Sequence, residues 1–438
     1  MPAISLIAAI VGFGVMFFLA IVGVPLVAAM GLGGVAGMVV AGIPLSGAPV
    51  AVMAYLGSYV WIALPLFVML GGLLSDIGVS KRVVWLGEYV GRRIRGGTSQ
   101  VLVIISLFLG GMTGSALAEA GMLSVMFRKD MEKAGYHTAY LAGLITCAGL
   151  IGSMIPPSNI LLILGLAGEI SVIRLWLGGI GPGILTAIGL MIASALTQGR
   201  YELKEKPDRN PEKEKADQER KGSFLAALPG LAVPIVILAG MRLGIFTPVE
   251  AGASGIIYAL LLGVTLYRRE LTLAHLADSI SRNLLSAMSY LFLVSGAAVF
   301  GVLVVRLNLT EVVEQLFIAW DFNAFQFMLA NFALYFIMGM FIEAVPIMLI
   351  FFPLMLPAAR TLGIDPIHFG VSFSMIILLA NLTPPIGVTM LFVCRLLDTN
   401  VYQWWKHGKY FFLVVLLVTF AVMFIPEVSL FIPSLIMD

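Results

Sequence analysis

Thirty consecutive residues, Ala139 to Gly168, carry no charged side chain, and near their middle stands Ser153-Met154-Ile155-Pro156-Pro157-Ser158-Asn159. A run that long can cross a bilayer, which takes about 20 apolar residues. Yet proline lacks the backbone N-H a helix needs and pushes the preceding residue out of helical geometry. The segment therefore predicts a membrane helix that stops and restarts inside the membrane. The same punctuation recurs at Asn381-Leu382-Thr383-Pro384-Pro385-Ile386-Gly387. With 60% hydrophobic and 11% charged residues and a mean hydropathy of +1.03, the whole chain reads as an all-α polytopic membrane protein. The opening apolar residues lack a basic flank and read as a first span rather than a signal peptide. Cys147 and Cys394 lie inside apolar segments, as small buried hydrophobes do. Four scattered histidines offer no transition-metal site, and nothing in the charge pattern suggests nucleic acid.

Lysine and arginine set the topology. Spans are expected at 4–22, 24–43, 50–76, 139–168, 175–197, 225–241, 248–267, 284–305, 368–394 and 410–433. Two longer apolar regions, 99–127 and 322–359, are broken near Gly110-Gly111-Met112-Thr113-Gly114-Ser115 and Gly339-Met340-Phe341-Ile342-Glu343-Ala344. If each of these enters and leaves on one side as a re-entrant hairpin, 22 of the 26 basic residues fall in loops on a single face. By the positive-inside rule that face is cytoplasmic, and both termini lie outside. Arms of about 14 residues, or about 20 Å, are too short to cross a core of about 30 Å.

The chain also matches itself. A shift of 228 residues places Gly111-Met112 on Gly339-Met340, Ala116 on Ala344 and Pro156-Pro157 on Pro384-Pro385 without a gap. Two inverted-topology repeats follow, each with three scaffold helices, a re-entrant hairpin, a broken helix and a final helix. The first spans 1–199 (scaffold 4–76, a surface helix over 80–95, hairpin 99–127, broken helix 139–168, helix 175–197). A charged cytoplasmic linker, 200–224, leads to the second at 225–438 (scaffold 225–305, hairpin 322–359, broken helix 368–394, helix 410–433). Many secondary transporters are built this way, with substrate and ion sites at the broken helices.

Backbone groups freed at such breaks cannot face lipid, where each unsatisfied one costs several kcal/mol, so they pack in protein or line a wet cavity. Freed carbonyls and side-chain oxygens are hard ligands suited to a small cation such as Na+, and half-helix N-termini favour an anion. The candidate sodium and substrate residues are Thr113, Gly114, Ser115, Ser153, Pro156, Pro157, Ser158, Asn159, Glu343, Ala344, Asn381, Thr383, Pro384, Pro385, Gly387 and Thr389. Glu343 is an intramembrane carboxylate at the second tip. Two other classes compete. A channel also uses backbone carbonyls but works without a coupling ion. Gly252-Ala253-Ser254-Gly255 matches the G-x-S-G of intramembrane serine proteases, but no histidine lies deep in a span to serve as its base.

These motifs resemble those of one family, the large membrane subunit (DctM-like) of tripartite ATP-independent periplasmic (TRAP) transporters. The resemblance covers essentially the full chain. It rests on Leu64-Pro65-Leu66-Phe67, Thr113-Gly114-Ser115-Ala116, Ile155-Pro156-Pro157-Ser158, Thr247-Pro248-Val249-Glu250-Ala251 and Leu382-Thr383-Pro384-Pro385-Ile386-Gly387, and also on Gly135-Tyr136, Gly181-Pro182-Gly183 and Gly363-Ile364-Asp365-Pro366-Ile367-His368-Phe369-Gly370. It implies a Na+-coupled importer of organic acids in the bacterial inner membrane that moves a transport domain elevator-fashion against a fixed scaffold. It further implies a small membrane subunit and a periplasmic substrate-binding protein as partners. Ala118-Glu119-Ala120 departs from the small residues usual after the first tip.

Overall fold

The computed structural model describes residues 3–79, 82–83, 97–133, 135–197, 228–267 and 273–437. The expected surface helix over 80–95, apart from residues 82 and 83, and the 200–224 linker lie outside the described residues. Within them the chain is helical throughout, with no strand. Among the described residues, seven helices are long and apolar enough to cross a membrane, and an eighth candidate is the bent pair Thr138–Met154 and Asn159–Ala167, whose axes differ by 47°.

One group of helices packs around the long helix Leu273–Arg306. Leu26–Val40, Gly47–Leu56 and Ala63–Asp76 all lie against it, while Ala3–Val22 leans on Leu26–Val40 and Pro248–Val264 on Ala63–Asp76. Helices in a bilayer gain nothing from hiding apolar surface from water, so close backbone approach must hold them together, and small residues make that approach. Gly34 sits against the backbone of Phe300, while Gly252 and Gly255 receive Leu66 and Leu70. The G-x-S-G stretch is thus a helix-packing face here. A half-buried polar cluster joins two of these helices at one end, where Asp76 Oδ2 accepts hydrogen bonds from Ser279 at 2.5 Å and Asn283 at 3.0 Å.

The second group holds the hairpins and broken spans. The first hairpin, Gly97–Thr113 and Ala116–Lys133, packs with both arms on Thr138–Met154. The arms of the second, Ala324–Phe341 and Ala344–Thr361, lie respectively against Pro366–Ala380 and against Leu309–Ala319 and Asn159–Ala167. The two halves of the sequence interleave: Val388–Leu396 packs on the first hairpin, and Val401–Phe424 on the first broken span and on Val172–Thr197. Trp404 Nε1 reaches Thr146 Oγ1 at 3.2 Å across that contact. Near it Gly143 and Gly408 meet backbone to backbone, so that a Cβ on Gly143 would lie 2.4 Å from Gly408 Cα. Gly143→Leu is therefore expected to cost about 1–3 kcal/mol by overpacking, read as a lower melting temperature in detergent.

Several expected boundaries move. The 50–76 span is two helices, Gly47–Leu56 and Ala63–Asp76, parted at Gly57-Ser58 by the 3-10 turn Tyr59–Ile62. The 410–433 span begins instead at Val401, ends at Phe424 and is followed by Glu427–Met437; Pro426 holds Ile425 extended at φ −122° and ψ 90°. The 284–305 span starts at Leu273, because absence of charge marks where a helix can meet lipid and not where the helix begins. For the same reason the hairpin arms run 17 or 18 residues, up to about 27 Å, past the apolar stretch and into Arg128–Lys133. Leu309–Ala319 is an additional helix, too short and too polar to stand out as a span.

Candidate functional site

The prolines lead one to expect the half-helices to end at Ile155 and Thr383; the first does, and the second ends earlier, at Ala380. Thr138–Met154 ends with Ile155 extended at ψ 129°, and Asn159–Ala167 begins after Ser158. The other broken span stops at Ala380 and resumes at Val388, after Gly387 in the left-handed region at φ +44°. Each proline pair is joined by a cis peptide bond. The hairpin turns are equally short: Gly114-Ser115 with Gly114 at φ +57°, and Ile342-Glu343, both extended.

The backbone freed at the first break is served mainly by protein. Ser158 Oγ accepts from Leu161 N at 3.2 Å, capping the new helix, and donates to Ser153 O. Trp176 Nε1 donates to Ser158 O at 3.0 Å. Hairpin tips close onto breaks. A Cβ on Gly114 would lie 3.0 Å from both Pro157 O and Asn159 Nδ2, so the first tip touches the first break directly. At the second, Gly387 N donates to Met340 O at 3.3 Å, and a Cβ on Gly387 would sit 2.7 Å from Thr383 O.

All four patches then meet in one cleft of about 50 Å³. Its walls include Gly114, Ser115 and Ala116 from the first tip, Asn159 from the first break, Glu343 and Ala344 from the second tip, and Asn381 and Thr389 from the second break. Four helices thus start at this cleft: those beginning at Ala116, Asn159, Ala344 and Val388. Each helix start brings unpaired backbone N-H groups and about half a unit of positive charge, a setting that favours an anion. Acceptors for a cation are present as well. Asn381 Oδ1 is buried at the cleft without a hydrogen-bond partner, and Ser153 Oγ is buried without one beside the first break. Buried polar atoms in folded proteins are nearly always paired, so these two oxygens suit a ligand. Glu343 opens toward the cleft and makes no side-chain cap at the start of its helix.

The remaining candidate residues stand around this cleft and not in its wall. Ser153, Pro156, Pro157 and Ser158 are buried behind Asn159. Thr383 Oγ1, in the break, donates back to Leu379 O in the last turn of the preceding helix at 2.8 Å. Pro385 is exposed, Pro384 half-buried, and Gly387 buried under the second tip. Thr113 ends its helix, and its side chain lies outside the described residues. Sequence reading missed Tyr290, which enters from Leu273–Arg306 of the other helix group and lines the cleft beside Ser115 and Glu343. The signal was faint. Tyr290 directly precedes Leu291-Phe292, the pair that matches Leu66-Phe67 in the first half, but no break or glycine marks it.

Comparison with known proteins bears on what such a cleft serves. Residues 13–428 match the family model described as the tripartite ATP-independent periplasmic transporter, DctM component. The chain is 31% identical over 379 residues to the sialic acid TRAP transporter large permease protein SiaM of Vibrio cholerae, covering 86% of this chain and 87% of that one. It is 32% identical over 332 residues to the 2,3-diketo-L-gulonate TRAP transporter large permease protein YiaN of Escherichia coli, covering 75% and 76%. Among solved structures, the YdaH transporter of Alcanivorax borkumensis shares the fold at a TM-score of 0.56 and 16% identity, over 86% of this chain and 90% of that one. With a family match over nearly its whole length, and a polytopic helical fold in keeping with it, this chain belongs to the DctM family of TRAP transporter large membrane subunits.

Proposed function

We propose that this chain is the large membrane subunit of a sodium-coupled secondary transporter that imports a small organic acid. The observation that carries the reading is the convergence of four helix starts on one cleft that also holds the unpartnered Asn381 Oδ1. The helix starts would hold a carboxylate. Ser115, Asn381 and Thr389, with Glu343, offer the oxygens that a desolvated Na+ needs. A cleft of about 50 Å³ has room for a few waters or an ion, well below the roughly 300 Å³ at which small-molecule pockets begin. The acid therefore enters only when the cleft widens.

The scaffold would be the group around Leu273–Arg306, with both termini on the periplasmic side of a bacterial inner membrane. The two hairpins and broken spans would move past it as one body, elevator-fashion, the two halves of the chain being inverted repeats. Tyr290, on the scaffold side of the cleft, would part from Ser115 and Glu343 in that motion. A small membrane subunit and a periplasmic substrate-binding protein complete the assembly. The relatives named for sialic acid and for 2,3-diketo-L-gulonate support an organic acid as cargo.

Proteoliposomes containing this chain, its small subunit and its binding protein test the proposal. Uptake of the cognate acid should rise severalfold when an inward Na+ gradient is imposed and collapse when the gradient is dissipated. Equal uptake with and without Na+ would reject the coupling.

A further inference from the structure

Where several helices end together, the two groups of helices leave a cavity of about 530 Å³ between them. Leu166, Ile170 and Ile173 wall it on the side of the first broken span and the helix after it, Trp61 and Phe246 on the side of the group around Leu273–Arg306. Packed protein leaves few voids larger than a water molecule, so this space belongs to something else. Its volume lies within the roughly 300–1,000 Å³ of ligand sites, and apolar walls with a few polar groups are their usual make-up.

The polar groups are Ser58, Ser171 and Glu169. Glu169 stands in the turn that closes Asn159–Ala167, where Ile170 N donates to Gly165 O at 3.0 Å and Glu169 itself is left-handed at φ +51°. Glycine is the usual residue at such a position. Here a carboxylate is held there instead, exposed, with no hydrogen bond or ion pair among the described residues. On the opposite side, Met241 of the wall is followed by Arg242, the last residue of Leu228–Arg242, exposed and likewise unpaired among the described residues. One anion and one cation thus flank the same cavity without meeting.

The residues beside the walls decide what enters. Tyr59 and Val60 are 54% and 48% exposed, Leu243 and Ile245 70% and 62%. In a membrane protein such side chains face acyl chains, and tyrosine and tryptophan mark the level of the headgroups. The cavity is therefore reached from the bilayer. We propose that it binds one phospholipid with an ammonium headgroup, phosphatidylethanolamine, its acyl chain lying along Leu166, Ile170 and Phe246. The ammonium donates to Glu169, and the phosphate is met by the guanidinium of Arg242, whose planar fork suits it. Phosphatidylglycerol offers only the phosphate and leaves the Glu169 carboxylate facing an anion.

Native mass spectrometry on the full chain with its small subunit tests this by counting tightly held lipid, so its outcome is independent of the proposed sodium coupling. After delipidation in detergent, the complex is given equal amounts of phosphatidylethanolamine and phosphatidylglycerol. Wild type should retain one more phosphatidylethanolamine than Ser58→Trp, whose indole fills the cavity. Glu169→Gly removes the carboxylate while giving the turn the residue it favours, so it should melt no lower than wild type. Its preference for phosphatidylethanolamine should fall by roughly twofold to fivefold, the worth of an exposed ion pair. Equal retention by wild type and Ser58→Trp would overturn the proposal. So would a Glu169→Gly variant that keeps the wild-type preference.

Discussion

Uptake by a Gly114→Val variant is expected to fall by roughly tenfold or more, with the protein still folded, since any β-branched residue at this position faces two separate costs. The first is local. Gly114 sits at φ +57°, where an L-residue loses about 1–2 kcal/mol and a β-branched one is a clear outlier. The second is at the contact: a Cβ would press on Pro157 O and Asn159 Nδ2 at 3.0 Å, so the tip must lift off the first break. Lifting it displaces Ser115 and the helix start at Ala116 together, two of the cleft's walls. Uptake of the cognate acid in proteoliposomes measures the loss, and melting in detergent checks the fold. Wild-type uptake from a folded variant would mean that the contact of tip and break does not shape the site.

Replacing Asn381 by alanine should raise the Na+ concentration for half-maximal uptake by roughly tenfold to a hundredfold, the equivalent of about 1.5–3 kcal/mol for losing a contact to a charged partner. Its Oδ1 is buried at the cleft with its acceptor capacity unspent. Thr383 is the internal comparison. Its hydroxyl already donates to Leu379 O and it stands outside the cleft wall, so Thr383→Ala should change Na+ dependence less than Asn381→Ala. Titrating uptake against external Na+ in both variants gives the contrast. Equal effects, or none in Asn381→Ala, would remove Asn381 from the ion site.

Part of this architecture is written plainly in the chain and part is not. The breaks were legible because proline acts locally: Ile155 is extended before Pro156-Pro157 whatever surrounds it. The first hairpin tip was legible because Gly114 satisfies a backbone geometry that few other residues tolerate. Helix ends were less so. Apolar runs report contact with lipid, whereas Leu273–Arg306 and Ala116–Lys133 continue as helices into charged sequence, steadied there by pairs such as Arg128 with Glu132 at 3.1 Å. The break at Pro426 was overlooked because one proline in a long apolar run can equally be a kink. Tyr290 was invisible for a different reason, since its role comes from packing between elements far apart in sequence. Serines and threonines were only partly separable. Whether a hydroxyl faces the cleft, as at Thr389, or turns back onto the end of the preceding helix, as at Thr383, is decided by the path of the backbone and not by residue type.

The most direct measurement is a high-resolution cryo-electron microscopy map of the whole transporter, prepared in Na+ with its acid. The helix starts at Ala116, Asn159, Ala344 and Val388 should then surround the density of the acid, and ion density should touch Asn381 Oδ1. Acid and ion found elsewhere, with lipid chains filling the space between Ser115, Glu343 and Thr389, would contradict the account.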